Sequence, residues 1–233
     1  MNPRLKGTGV TIRALFLNCT LKTSPSESNT QALIGKVAEQ LEKLGVETET
    51  IRAVDQKIAF GAAMDEGEHD GWPQVLDRIR AADILIIASP VWIGDRSSVA
   101  KLVAERLDAT TYQLDSRNQH EMYGKVGGAI AIGESDGGQA VLKSILYEMT
   151  IAGFTVPPNA DVYWVNEAGL GGPYLESQGD TNYFVNERVR FMAHNLVYMA
   201  RLLKGNPIPT DLDALQKEAK AVSRAAKPMK PRE

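Results

Sequence analysis

Ile84-Leu85-Ile86-Ile87-Ala88 runs directly into Ser89-Pro90-Val91-Trp92-Ile93-Gly94. An unbroken apolar run stopped by Ser-Pro describes a strand covered on both faces, as in parallel sheets whose crossover helices lie on either side. The same design occurs twice more. Ala14-Leu15-Phe16-Leu17 is followed by Asn18-Cys19-Thr20-Leu21-Lys22 and a helix that opens near Ser28-Asn29-Thr30. Ala129-Ile130-Ala131-Ile132 is followed by Gly133-Glu134-Ser135-Asp136-Gly137-Gly138. Three units of strand, small or polar loop and helix start predict a doubly wound α/β sheet. In such a sheet the loops leaving the carboxyl ends of the strands lie together, and ligands sit where the strand order reverses.

The flanking sequence extends this pattern. Leu33, Ile34, Val37, Leu41 and Leu44 recur at helical spacing, with Glu39, Glu42 and Lys43 off the stripe and Gly45 as a stop. Residues 46–54 alternate apolar and polar, as a strand nearer a sheet edge does. A helix from Pro73 to Ala81 leads to the strand at 83–89, and Ser97-Ser98 can cap the next helix, to Leu107. A polar stretch, 108–125, joins it to a strand at 126–132. A helix opened by Gly137-Gly138 ends at Gly153, a fifth strand covers 160–165, and a long helix covers 183–203. Five such units suit a flavodoxin-like five-stranded parallel sheet in the order 2-1-3-4-5, with helices on both faces. That domain spans 10–205. Residues 206–233 add a surface helix from Asp211 and a basic tail, 227–233. Asp55 to Gly71 is too long for an ordinary connection, and is either an active-site flap or a small excursion.

With 233 residues, 43% of them hydrophobic, the chain can bury one substantial core. A formal charge of -3 supplies no basic stripe to neutralise a phosphate backbone, so nucleic-acid binding gains no support and small-molecule chemistry is favoured. The single cysteine, Cys19, excludes an intrachain disulfide and a cysteine-only metal cage. The apolar run that follows the N-terminal stretch of Arg4, Lys6 and Arg13 is too short for a membrane span or a signal-peptide core, which leads us to expect a cytoplasmic protein without membrane contact.

Each loop suggests chemistry. Ser28 is placed to cap its helix, and Gln31 three residues on completes an S-x-x-Q capping box. The unpaired N–H groups of that helix start, the positive end of its dipole and the hydroxyls of Thr20, Ser24, Ser26, Ser28 and Thr30 can hold a phosphate, with Lys22 as a screening charge. Plain helix capping is the alternative reading. The dinucleotide motif G-x-G-x-x-G is missing, which favours a monophosphate. Pro90, Val91, Trp92, Ile93 and Gly94 offer apolar walls, one large ring and close backbone approach for a flat heteroaromatic ring, although Trp92 also suits a core. Gly133, Gly137 and Gly138 let main-chain N–H groups turn toward a ligand, while Glu134, Ser135 and Asp136 can bond its edge or cap the next helix.

The stretch Ser89-Pro90-Val91-Trp92-Ile93-Gly94-Asp95-Arg96-Ser97-Ser98 resembles the S-P-V-(aromatic)-x-G-x-x-S stretch of the NADPH-dependent FMN reductases, a flavodoxin-like group that includes quinone reductases and iron-sulfur flavoproteins. Ser26-Glu27-Ser28-Asn29-Thr30 resembles that family's phosphate loop. The resemblance implies that Thr20, Lys22, Ser28, Asn29 and Thr30 surround the FMN phosphate. It implies too that Pro90, Val91, Trp92, Ile93 and Gly94 line the flavin, and that Gly133 and Glu134 to Gly138 approach the ring's other side. Where iron-sulfur members carry cysteines, this chain has Ile58-Ala59-Phe60-Gly61-Ala62-Ala63-Met64, so the resemblance is to a cluster-free relative. It further implies a homodimer or homotetramer. Residues 168–174 resemble the family's late loop and would reach toward a neighbour's pocket, with a plain surface loop as the alternative.

The implied chemistry takes hydride from NAD(P)H, through FMN, to a small acceptor such as a quinone or free flavin. The flavin performs it, so no catalytic side chain is required and no metal is expected. The alternative is a flavodoxin-type carrier exchanging electrons with protein partners. Among the isolated histidines His69, His120 and His194, the sequence places His120 nearest the cleft. Cys19 reads as a buried filler without a paired base.

Overall fold

The computed structural model describes residues 11–134, 136–166 and 172–225. Ser135, residues 168–171 and the basic tail from 227 lie outside the described residues. In chain order the elements are β1 (Ile12–Asn18), α1 (Asn29–Lys43), β2 (Val46–Arg52), α2 (Trp72–Ala81), β3 (Ile84–Trp92), β4 (Asp95–Arg96), α3 (Ser98–Asp108), β5 (Val126–Gly133), α4 (Gly138–Ile151), β6 (Asp161–Val165), α5 (Tyr183–Gly205) and α6 (Leu212–Ala225). Five strands form a parallel sheet in the order β2-β1-β3-β5-β6, and β4 pairs antiparallel with the end of β3. With two-residue β4 set aside, this is the expected 2-1-3-4-5 order.

Strand alternation divides the interior in two. Ala14, Phe16, Ile84, Ile86 and Ile130 face α1 and α5, whereas Leu15, Leu17, Leu85, Ile87 and Ala129 face α2, α3 and α4. Both faces of the central strands are covered, which is why those strands read as unbroken apolar runs. β2 lies at the sheet edge, and there the alternating Glu47 and Glu49 leave the interior. Asn18 pairs with Ala88, and Ala88 pairs with Ile130, so β1, β3 and β5 reach their carboxyl ends at one level. No helix among the described residues is long and apolar enough to cross a membrane.

The 55–71 segment is an excursion, because none of its residues lines the cleft at the carboxyl edge. A buried ion pair organises it. Arg106 on α3 donates to Asp70 at 2.6 Å, and to the carbonyls of Ala59 at 2.7 Å and Ala63 at 3.0 Å. Asp70 also accepts from the N–H groups of Ala59, Glu66 and Trp72, each at 3.0 Å. The Trp72 ring closes the arrangement, with the Arg106 guanidinium carbon 5.7 Å from its centroid.

Three local expectations are corrected. The Ser89–Gly94 stretch is not simply a loop, since β3 continues through Trp92 and turns back at Ile93 and Gly94, with φ of 49° and 74°, into β4. Of the capping box only one half forms: Ser28 Oγ accepts from Gln31 N, while the Gln31 side chain accepts from Asn18 Nδ2 at 2.9 Å instead of reaching back. His120 is away from the cleft. The α3–β5 connection returns to the amino edge of the sheet, where Lys125 donates to the carbonyls of Arg80 and Ala82 at the foot of β3. There the His120 ring nitrogen Nδ1 meets the Thr111 carbonyl at 2.8 Å. The same connection anchors the C-terminal segment, because Gln119 donates to the carbonyls of Ile208 and Thr210, and Leu212 N to that of Arg117.

Candidate functional site

At the carboxyl edge, the exits of β1, β3 and β5 enclose a cleft of about 380 Å³. A larger hollow, about 620 Å³, opens between α3 and α4, but it lies away from these exits. Main-chain and serine hydroxyl hydrogen bonds hold the cleft's walls together. Cys19 N donates to the Ala88 carbonyl at 2.8 Å, Ser97 Oγ donates to the Cys19 carbonyl at 2.6 Å, and Ser97 N donates to Ser89 Oγ at 2.9 Å. Ser97 Oγ also accepts from Ala100 N, so one residue caps α3 and fastens β1 to β3. Arg96, only 9% exposed at its side chain, ties the β3–β4 hairpin to Glu148 on α4. Burial raises the Glu148 carboxyl, and Arg96 and Lys101 oppose that shift.

The first loop supplies a bed of donors. Ala32 N is the first N–H of α1 bonded to a main-chain carbonyl, and Gln31 N is taken by Ser28 Oγ. Ser28, Asn29 and Thr30 all line the cleft, and their N–H groups have no acceptor among the described residues, at the positive end of the helix dipole. Thr20 and Lys22 complete that end. Ser24 does not join it, because both its N–H and its hydroxyl donate to Asp55. Arg52 holds the loop's far side by donating to the Ser26 carbonyl at 2.9 Å and to that of Lys22 at 3.3 Å.

Pro90, Val91 and Trp92 form one wall of the other end, and Gly133 and Glu134 form the facing one. Trp92 is 54% exposed, which removes the core reading for it, and Ile93 at the hairpin tip points wholly into solvent. Gly94 and Gly137 fasten the second loop to the third. A Cβ on Gly137 would lie 2.8 Å from Gly94 Cα and 3.0 Å from Val91 Cγ1, and Gly137 has a φ of +104°. Gly137 is the N-cap of α4 and no side chain caps that helix, so Asp136 does not serve as a cap. Gly138 packs on Tyr163 and Val165 behind the wall. Of the residues singled out from sequence, Thr20, Lys22, Ser28, Asn29, Thr30, Pro90, Val91, Trp92, Gly133 and Glu134 line the cleft, Ile93, Gly94, Asp136, Gly137 and Gly138 stand beside it, and Ser135 is outside the described residues.

Ile132 and Trp164 also line the cleft and were not singled out as site residues from sequence, while Pro173 and Tyr174 were read there only as part of the late loop. Trp164 follows from register, because it pairs with Ile132 at the end of β5. Tyr174 sits in the late loop and lines this chain's own cleft. The loop is fixed there because Leu175 N donates to Asn29 Oδ1 at 3.1 Å, which also commits that oxygen of Asn29 to the loop. The Tyr174 ring meets Trp164 edge to face, with centroids 5.4 Å apart. Its hydroxyl is buried with no partner.

The donor bed, the open aromatic end and the orphaned hydroxyl fit a flat ring carrying a single phosphate. No trio of His, Cys, Asp or Glu suited to a metal occurs among the described residues. Cys19 is fully buried and burial drives its thiol far up, so it offers no thiolate.

Comparison with known proteins gives the same direction. Residues 12–169 match the family described as NADPH-dependent FMN reductase. The chain is 37% identical, over 91% of its own length and 86% of the relative's, to the 8-demethyl-8-aminoriboflavin-5'-phosphate synthase of Streptomyces davaonensis. It is 41% identical, over 87% of its length, to part of a protein of Mycobacterium bovis named divalent metal cation transporter MntH, and spans only 30% of that protein. Among solved structures, RosB with bound 8-demethyl-8-formylriboflavin-5'-phosphate superposes with a TM-score of 0.86 at 35% identity, covering 95% of this chain and 92% of that one.

Proposed function

The chain belongs to the family of NADPH-dependent FMN reductases, and from that premise we propose that it is an FMN-dependent oxidoreductase drawing on NAD(P)H and serving a small acceptor such as a quinone or free flavin. The observation that carries this reading is the division of one cleft into two ends of different chemistry. The α1 end gathers free N–H groups and Lys22, as a phosphate requires. The hairpin end is apolar and open, with Trp92 half in solvent, so a ring held there keeps one side accessible to a second flat molecule.

Bound FMN would supply the electron chemistry itself. The chain's residues orient and tune it. Pro90 to Trp92 and Gly133 to Glu134 would bound the ring's place while leaving its solvent side open, and the Arg96–Glu148 brace keeps the hairpin from swinging away. Glu134 is the one carboxylate and Lys22 the one cation among the described lining residues, and no paired acid and base stands in the cleft. Such a lining suits transfer between stacked rings better than hydrolysis or acyl transfer.

A second reading has its own support. The Streptomyces relative is named for making an altered flavin phosphate, and the RosB structure holds a flavin phosphate intermediate, so this cleft is also suited to FMN as substrate. Anaerobic addition of NADPH to the FMN-loaded protein separates the two. Under the oxidoreductase reading the visible flavin band bleaches and returns on adding a quinone, with the recovered FMN unchanged in mass. A band that stays oxidised with both NADPH and NADH would overturn that reading, and FMN recovered with a changed mass would install the second.

A further inference from the structure

Five buried side-chain polar atoms among the described residues lack a hydrogen-bond partner, and Tyr174 Oη is the only one of them on a residue that lines the cleft. A buried hydroxyl normally finds a partner, because it gives up water to be there. Tyr174 is held so that it cannot turn out to recover that water. Its residue is 2% exposed, its ring stands edge-on to Trp164, and Gly179 lies so close beneath that a Cβ there would fall 2.2 Å from Tyr174 Cδ2. Gly179 N donates to the Tyr174 carbonyl at 3.1 Å, and Leu175 N, one residue on, donates to Asn29. Burial, with Asp180 adding to it, pushes the hydroxyl up to about 12, so at neutral pH it is protonated and a donor.

We infer that Tyr174 is a phosphate-reading residue, its O–H donating to a 5'-phosphate oxygen of the bound flavin mononucleotide. The inference rests on the flavin reading above. The loop that carries Tyr174 is tied to the phosphate end, because Leu175 N donates to Asn29, the first residue of α1, where the free N–H groups gather. Tyr174 would then add a neutral donor to that bed and link the late loop to the presence of a phosphate. A hydrogen bond to a charged oxygen is stronger than one to a neutral acceptor, so the residue would distinguish FMN from riboflavin.

The test is Tyr174→Phe, with the flavin-free protein titrated separately with FMN and with riboflavin while quenching of flavin fluorescence is followed. The expected result is a dissociation constant for FMN raised about tenfold or more, with that for riboflavin unchanged. The phosphorus resonance of bound FMN should shift as well. Without flavin, the variant should melt at or above the wild-type temperature, since the substitution removes an unpaired polar atom. Unchanged FMN affinity, equal weakening of both flavins, or a lower melting temperature of the flavin-free variant would each overturn the assignment. A wild-type protein that takes up neither flavin would instead refute the flavin reading itself.

Discussion

Asp70→Ala is expected to lower folding stability by about 3–5 kcal/mol, because it leaves the Arg106 guanidinium buried without its counter-charge. Both side chains of the pair are fully buried, and the guanidinium's remaining partners, the carbonyls of Ala59 and Ala63, belong to the excursion that Asp70 itself holds closed. Losing Asp70 thus removes an ion pair and three main-chain hydrogen bonds together. Urea unfolding of the variant would show the loss, and a change below about 1 kcal/mol, the range of exposed pairs, would contradict it. Flavin affinity of the folded variant should hold, since the excursion does not line the cleft.

The same pair sets an acid limit. Burial alone would raise the Asp70 carboxyl, but the Arg106 guanidinium and three N–H donors overcome it and hold the group well below the usual carboxylate range. A lowered folded-state value contributes stability that is present above the unfolded value of about 4 and is lost as pH falls below it. The wild-type protein should therefore shed stability below about pH 4, while Asp70→Ala lacks that component of the slope.

Gly137→Ala should separate two walls of the cleft. Its φ of +104° strains any L side chain, and the new Cβ meets Gly94 Cα and the Gly94 carbonyl oxygen, which are backbone and cannot rotate aside. The expected cost is about 1–3 kcal/mol of stability, together with at least about a tenfold loss of FMN affinity as the second and third loops part. Gly45→Ala is the control. Gly45 has a φ of +78° with nothing within 4 Å of a new Cβ, so it bears the backbone strain alone and should leave flavin affinity unaltered. Equal FMN affinity in Gly137→Ala and wild type would show that the contact between Gly94 and Gly137 does not shape the cleft.

The sheet order was legible because β1, β3 and β5 are covered on both faces, and apolar runs such as Ile84–Ala88 have few other places to go. Most of the α1 end of the cleft was legible for a related reason: Ser28 caps α1, and a helix start on a central strand's exit has a defined place. What stayed hidden depends on tertiary pairing. Gln31 looked like half of a capping box until Asn18, thirteen residues away, took its side-chain oxygen. Ser24 looked like a phosphate ligand until Asp55 took its hydroxyl. His120 looked close to the cleft because the return of a helix to the amino edge is not written in local composition. Arg52 had a usable signal, since its register opposite Asn18 places it at the first loop's level. Tyr174 had none beyond the glycine-rich late loop, because its position depends on the bond from Leu175 to Asn29 and on the space that Gly179 leaves.

The most direct measurement is a titration of the flavin-free protein with FMN, followed by visible absorption after removal of unbound ligand. If the exits of β1, β3 and β5 cradle this molecule, the protein retains one FMN per chain with a perturbed flavin band. A protein that emerges colourless after FMN in excess would contradict the cradle.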